Sequence, residues 1–397
     1  MKQSLKNIPA WDADRHLNQV VKSMPPSGIR KFFDLVSEME GAISLGVGEP
    51  DFVTPWHVRE ACIYSLESGD THYTSNKGMP ELREAICDQT RKDLTLDYDS
   101  AEEILITTGV SEAVDLAFRA TINQGDEVLV PEPCYVAYTP DIVLAGGVSK
   151  SVPTRPEDEF RVQPETIAAA VTEKTRGLLL SYPNNPTGAI MTRSDLEDLA
   201  DVVVENDLVV ISDEVYSQLC YSGKHASFAQ LEGMKDRTII LNGLSKSHAM
   251  TGWRIGYVLG DAALVGAMTK VHQYTMLCAP TMAQVAALEA VQKGEEEMLL
   301  MKHEYDLRRR LFVSGLNRIG LDCVEPRGAF YAFPSIQRWG LSSEEFAERL
   351  LHEQKVAVVP GNVFGSSGEG FLRCSYATSR EELIEALDRM ETFIGGL

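Results

Sequence analysis

The sequence predicts an α/β protein: a large domain on a mainly parallel, doubly wound sheet, joined to a smaller α+β domain. Three observations carry this. The middle of the chain repeats short apolar runs separated by helical patterns, as expected of strands buried on both faces of a parallel sheet. After about residue 290 the pattern changes to long charged helices mixed with isolated strands. The length of 397 residues is about two and a half times a ~150-residue domain, which allows two cores.

Taken in order, the chain opens with a polar stretch, and residues 1–18 are read as an arm. A helical stripe of Phe32, Phe33, Leu35, Val36 and Met39 follows, and it must find an apolar partner, for which the C-terminal domain is available. Strands are predicted at 104–106, 127–130, 178–180, 208–211, 238–241 and 255–259, with amphipathic helices at 111–120 and 193–205. Beyond 290 come a charged helix through Arg308, Arg309 and Arg310, a strand at 329–333, and two helices opened by Ser342 with Glu345 and by Ser379 with Glu382. Both pairs fit a capping box. The last helix repeats apolar residues at Leu383, Ile384, Leu387, Met390, Phe393 and Ile394. The acidic run 295–297 and the triple arginine are read as solvated faces. The domain boundaries expected are 1–45 for the arm and helix, 46–290 for the large domain and 291–397 for the small one.

Composition excludes several classes of function. With 58 acidic against 37 basic residues and a net charge of -21, the surface repels polyphosphate, so nucleic acid is not an expected partner. The seven cysteines are scattered without a C-x-x-C pair, the usage of a reduced, intracellular protein. The eight histidines form no H-E-x-x-H or H-x-H cluster, so no metal site is expected. No apolar run approaches the ~18 residues of a membrane span, and a cytoplasmic protein is expected.

In an open parallel sheet, ligands bind beyond the carboxyl ends of the strands. Strand 178–180 runs into Ser181 and Asn185; strand 208–211 runs into Asp213 and Tyr216; strand 238–241 runs into Ser245 and Lys246. An amide, a carboxylate and an amine therefore meet on one edge. At a fourth strand end, Thr107, Thr108, Gly109, Val110 and Ser111 turn into a helix, and free N–H groups at a helix start suit a phosphate. Arg254, eight residues after Lys246, adds charge. Pyridoxal phosphate requires all of these groups: a lysine for its Schiff base, a carboxylate for its ring nitrogen, donors to its phenolic oxygen and a phosphate cup.

The stretch 242–257 (NGLSKSHAMTGWRIGY) resembles the cofactor-lysine motif of the class I/II aminotransferases, which depend on pyridoxal phosphate. Asn185-Pro186-Thr187-Gly188, Asp213 with Tyr216, and Leu372-Arg373 follow in that family's order, and the likeness runs from Gly46 to the last helix. It sits nearest the subgroup of aromatic, N-acetyl-diaminopimelate and aspartate aminotransferases. The resemblance implies the fold type I architecture and a role for each residue. Lys246 would hold the cofactor as an internal aldimine and later move the substrate Cα proton. Asp213 would pair with the ring nitrogen, Asn185 and Tyr216 with the phenolic oxygen, and Tyr135 would stack on the ring. Gly109, Val110, Ser111, Ser245 and Arg254 would form the phosphate cup. Position 243 is glycine where many relatives have a phosphate-binding serine. Tyr73 would reach the phosphate of a neighbouring subunit, making the working unit a homodimer. Arg373 would clamp the substrate α-carboxylate, a bidentate contact lysine cannot reproduce, and Gly48 would approach the substrate by its backbone.

The implied activity is transfer of an amino group from an L-amino acid to a 2-oxo acid, 2-oxoglutarate being the expected partner, by a ping-pong mechanism. The donor's side chain stays open between aromatic, acidic and diaminopimelate-like. Arg30 and Lys77 are candidates to read a distal carboxylate. A carbon-sulfur β-lyase on the same scaffold is the alternative, and a non-catalytic amino-acid sensor is a third reading that the acidic surface disfavours.

Overall fold

The computed structural model describes residues 11–26, 28 and 39–397. The apolar stripe from Phe32 to Val36, and Arg30, lie outside them. The chain forms strands β1 (Ile43–Ser44), β2 (Ile104–Thr107), β3 (Glu127–Glu132), β4 (Val148–Pro153), β5 (Thr175–Ser181), β6 (Val209–Asp213), β7 (Thr238–Gly243) and β8 (Gly256–Leu259). Those from β2 to β8 make one sheet in the order β2-β8-β7-β6-β5-β3-β4. Only β8 runs against its neighbours; the other pairs are parallel.

Alternation along each strand explains the double layer. Leu179, Ile211, Ile239 and Leu241 point to one face, where Leu116, Phe118, Val265 and Met268 cover them. Leu178, Leu180 and Val210 point to the other, under Leu196, Leu199 and Val203. Ile104, Ile106 and Ile240 meet Ile86, Ala283 and Ala287 there. The sequence pattern misses β4, because an edge strand needs few apolar residues: Val152 is fully buried while Val148 is 49% exposed.

The smaller domain holds β9 (Tyr331–Ala332), β10 (Val356–Ala357), β11 (Val359–Pro360) and β12 (Leu372–Ser375). β12 is the centre of an antiparallel sheet ordered β11-β12-β9, and β1 pairs parallel with β10 through Ile43 and Val356. Helices Glu295–Arg318, Ser343–Gln354 and Arg380–Ile394 pack around a core of Phe312, Phe330, Phe346, Leu387 and Phe393. Both serine caps form: Ser342 accepts the N–H of Glu345 at 3.1 Å and Ser379 that of Glu382 at 3.2 Å. Glu382 takes the hydroxyl of Thr378, and full reciprocal boxes are built instead by Thr192 with Asp195 and by Ser227 with Gln230.

Two readings of faces need correction. Ile384 is 49% exposed, because it sits ~100° round the helix from Leu383, which takes the core side. Arg308 and Arg309 are each 7% exposed, not solvated. Successive helical residues point in different directions, so three arginines in a row cannot share a face. Arg308 makes a double contact with Asp51 at 2.8 and 2.9 Å, tying helix Glu295–Arg318 to the loop that carries Gly48.

Candidate active site

The carboxyl ends of β5, β6 and β7 open into a cavity of about 860 Å³, lined also by groups from β9, β12 and the Gly48 loop. It gathers Gly48, Val110, Ser111, Tyr135, Asn185, Asp213, Tyr216, Ser245, Lys246, Arg254 and Arg373. Gly109, not itself among the lining residues, is the N-cap of helix Val110–Thr121. Tyr73 is elsewhere, 81% exposed. Lys77 is engaged by Glu102 at 2.7 Å and by the Ala101 carbonyl at 2.8 Å.

Lys246 reaches across to donate to the Gly48 carbonyl at 2.7 Å. Burial pushes its amine down to about 8, helped by Arg373 and Arg254 and opposed by Glu49 and Asp213. Asp213 is the register partner of Ser181. Its carboxylate accepts the Tyr138 hydroxyl at 2.7 Å and the Val215 N–H at 3.1 Å. Burial raises it to about 6 despite these donors, so an anion there is held at a cost that a cationic partner relieves.

Arg373, on the central strand of the small sheet, is 2% exposed. It donates to Asn185 Oδ1 at 3.1 Å and to the Gly46 carbonyl at 2.5 Å, and its guanidinium lies 4.7 Å over the Tyr331 ring. Its Nε has no hydrogen-bond partner, and among the described residues no carboxylate pairs with it. A buried guanidinium without an anion is costly, and the cavity in front of it accepts one. A Cβ at Gly48 would stand 3.0 Å from the Tyr331 hydroxyl and 3.8 Å from an Arg373 nitrogen, so glycine keeps that space open.

At the other end, helix Val110–Thr121 starts without a side-chain cap, leaving its first N–H groups for a ligand. Gly109 has φ +78°, and a Cβ there would come within 2.5 Å of the Arg254 guanidinium. Gly243 is enclosed by Val110 and Gly256, each about 3 Å from where its Cβ would be, so this position has little room for a side chain.

The sequence matches the family Aminotransferase class I and II over residues 40–390. An aspartate aminotransferase of Pyrococcus abyssi is 48% identical over 372 residues, covering 92% of this chain and 95% of that protein. Aromatic-amino-acid aminotransferase 2 of Thermococcus litoralis is 46% identical, over 94% of this chain and 97% of its own length. The crystal structure of an aromatic aminotransferase from Pyrococcus horikoshii superposes with a TM-score of 0.88 at 45% identity, over 93% of this chain and 99% of that one.

The chain belongs to the class I/II aminotransferases. It is a transaminase of the aspartate aminotransferase superfamily, near the aromatic and diaminopimelate subgroup. The residues of this aminotransferase fit pyridoxal phosphate at each end: an uncapped helix start with Arg254 for the phosphate, and a buried carboxylate beyond it for the ring nitrogen.

Two groups of the site, Tyr138 and Tyr331, escape the sequence reading, and Ser181 is marked there only as a strand end. Tyr138 bonds both Asp213 and Ser181, the latter at 2.8 Å; Tyr331 bonds the Tyr216 hydroxyl at 2.8 Å. Tyr138 opens helix Tyr138–Leu144, and its ring lies edge-on to that of Tyr135 at 5.6 Å between centroids. Ser181 closes a strand next to Asn185. Tyr331 lies in a run of apolar residues and has no local mark.

Proposed function

We propose that this transaminase takes the amino group of an L-amino acid with an aromatic, acidic or diaminopimelate-like side chain and passes it to a 2-oxo acid, 2-oxoglutarate being one partner. The observation that carries the reading is the buried, anion-free guanidinium of Arg373 in the same cavity as the amine of Lys246. When bound, pyridoxal phosphate supplies a carbonyl carbon to which an amino nitrogen is joined and a ring that draws electron density from the substrate Cα–H bond. Lys246 would hold it covalently, and its Nζ, once free, would take the proton from the substrate Cα. An amine already depressed by burial is suited to that task. Asp213 carries the anion that keeps a proton on the ring nitrogen, and Tyr138 fixes that carboxylate. Asn185 and Tyr216 donate to the phenolic oxygen, and Tyr135 covers the ring. Val110, Ser111, Ser245 and Arg254 hold the phosphate. Arg373 grips the substrate carboxylate as a planar fork while Gly48 leaves it room.

The working unit in this reading is a homodimer in which Tyr73 reaches the neighbour's phosphate. Tyr73, Tyr274, Met276 and Leu277 are all exposed, and their segments are tied together by Asn76 on the Leu277 carbonyl at 2.6 Å, which supports an apolar patch awaiting a partner. The seven cysteines are free thiols and no described helix is long and apolar enough to cross a membrane; both agree with a cytoplasmic setting.

The test is a donor screen against 2-oxoglutarate. Glutamate formation with parallel double-reciprocal lines is expected, and Arg373→Lys should raise KM for both amino and oxo acid by about tenfold or more. Pyruvate and ammonia released from cystathionine without any oxo acid would instead assign a β-lyase.

A further inference from the structure

His272 and Glu112 form a buried pair that the roles above leave unused. Glu112 is the third residue of helix Val110–Thr121, and its side chain is 7% exposed. Its Oε2 accepts the Thr108 N–H at 2.5 Å, and its Oε1 lies 2.6 Å from His272 Nδ1. His272 comes from the last turn of helix Ala262–Thr275 and is fully buried, with Nε2 lacking a hydrogen-bond partner. Since a carboxylate accepts, Nδ1–H donates.

This geometry bears on the turn 107–111. Glu112 pins Thr108, and His272 pins Glu112, so the backbone on either side of Gly109 is fixed from behind while Arg254 bounds it in front. A carboxylate in the first turn suits the helix dipole but repels a second anion at the same end. Here both of its oxygens are already bonded, one behind the turn and one by the imidazole.

We propose that His272, acting through Glu112, is a positioning residue for the phosphate end of the cofactor site. This rests on the reading of that end as a phosphate cup. His272 keeps the Glu112 charge engaged and the turn in shape, so that the free N–H groups of Val110 and Ser111 face phosphate alone.

The experiment compares binding of pyridoxal phosphate with that of pyridoxal, which lacks the phosphate, to cofactor-free protein by equilibrium fluorescence titration. In His272→Ala the preference for the phosphorylated ligand should fall about fivefold, the size of a ~1 kcal/mol charge effect at a helix start, with pyridoxal binding unchanged. Glu112→Gln/His272→Ala should recover the preference, since the stranded charge is gone; a purely structural defect would persist. An unchanged preference in His272→Ala, or no recovery in the double variant, overturns the role. Where His272→Ala does not fold, Glu112→Gln alone decides: glutamine keeps an oxygen for Thr108 and offers N–H to the other imidazole tautomer, so the preference should equal or exceed that of the parent, and a fall overturns the proposal. A parent protein that shows no preference for the phosphorylated ligand would sink the phosphate-cup reading itself, which is a different failure.

Discussion

At the scale of single residues, Lys246 and Asp213 show how burial prepares groups for chemistry. Desolvation moves the lysine down to about 8 and the carboxylate up to about 6, so each is drawn toward its neutral form. In cofactor-free protein, modification of Lys246 by an amine-selective reagent should therefore reach half its maximal rate near pH 8 and then level off. Exposed lysines should keep rising toward about 10.4. Peptide mass spectrometry across a pH series checks this, and a Lys246 profile matching the exposed lysines would contradict it. The stability sign follows the same shift. Between about pH 8 and 10.4 the unfolded lysine still holds its proton while the folded one has lost it, so this residue makes stability rise with pH in that window.

At the scale of elements, glycines set where backbone and ligand meet. Gly109 combines φ +78° with a Cβ position 2.5 Å from Arg254, so Gly109→Ala must both strain the turn before helix Val110–Thr121 and displace the guanidinium. The expected outcome is a loss of cofactor affinity of about tenfold or more, measured by titration, with KM for substrate nearly unchanged once cofactor saturates. Gly48→Ala should do the reverse: cofactor titrates normally while KM for amino and oxo acids rises. If both variants shift the same parameter, the division of the cavity into a phosphate end and a carboxylate end is wrong. The elements themselves were largely legible in the sequence. Strands β2, β3, β5, β6, β7 and β8 lie where short apolar runs predict them, because a strand covered on both faces must be apolar throughout. The edge strand β4 escaped for the converse reason.

At the scale of the whole molecule, the -21 charge lies around a cavity whose own cations are Lys246, Arg254 and Arg373. The acidic bulk is thus compatible with a site for a phosphate and a carboxylate. The loop carrying Gly48 is fastened by Arg308 to helix Glu295–Arg318, and Arg373 arrives on β12, so the carboxylate end depends on how the smaller domain sits. The expected boundary between residues 290 and 291 falls inside helix Thr281–Lys293. Equilibrium sedimentation should give twice the 43.8 kDa chain mass, and Tyr73→Phe should weaken cofactor binding without dissociating the dimer. A monomer that retains full cofactor affinity would remove Tyr73 from the site.

The sequence by itself determined the layered α/β architecture and the groups that converge on its edge, because strand period, strand ends and the motif around Lys246 are local patterns along the chain. It also marked Arg373, through its motif. Tertiary structure alone decided which buried groups have partners. Tyr331 meets Tyr216 across 115 positions of sequence and His272 meets Glu112 across 160, contacts with no spacing to read. The same holds for the arginine run: a helix sends its residues in every direction, and only packing shows that Arg308 and Arg309 turn inward while Arg310 remains in solvent.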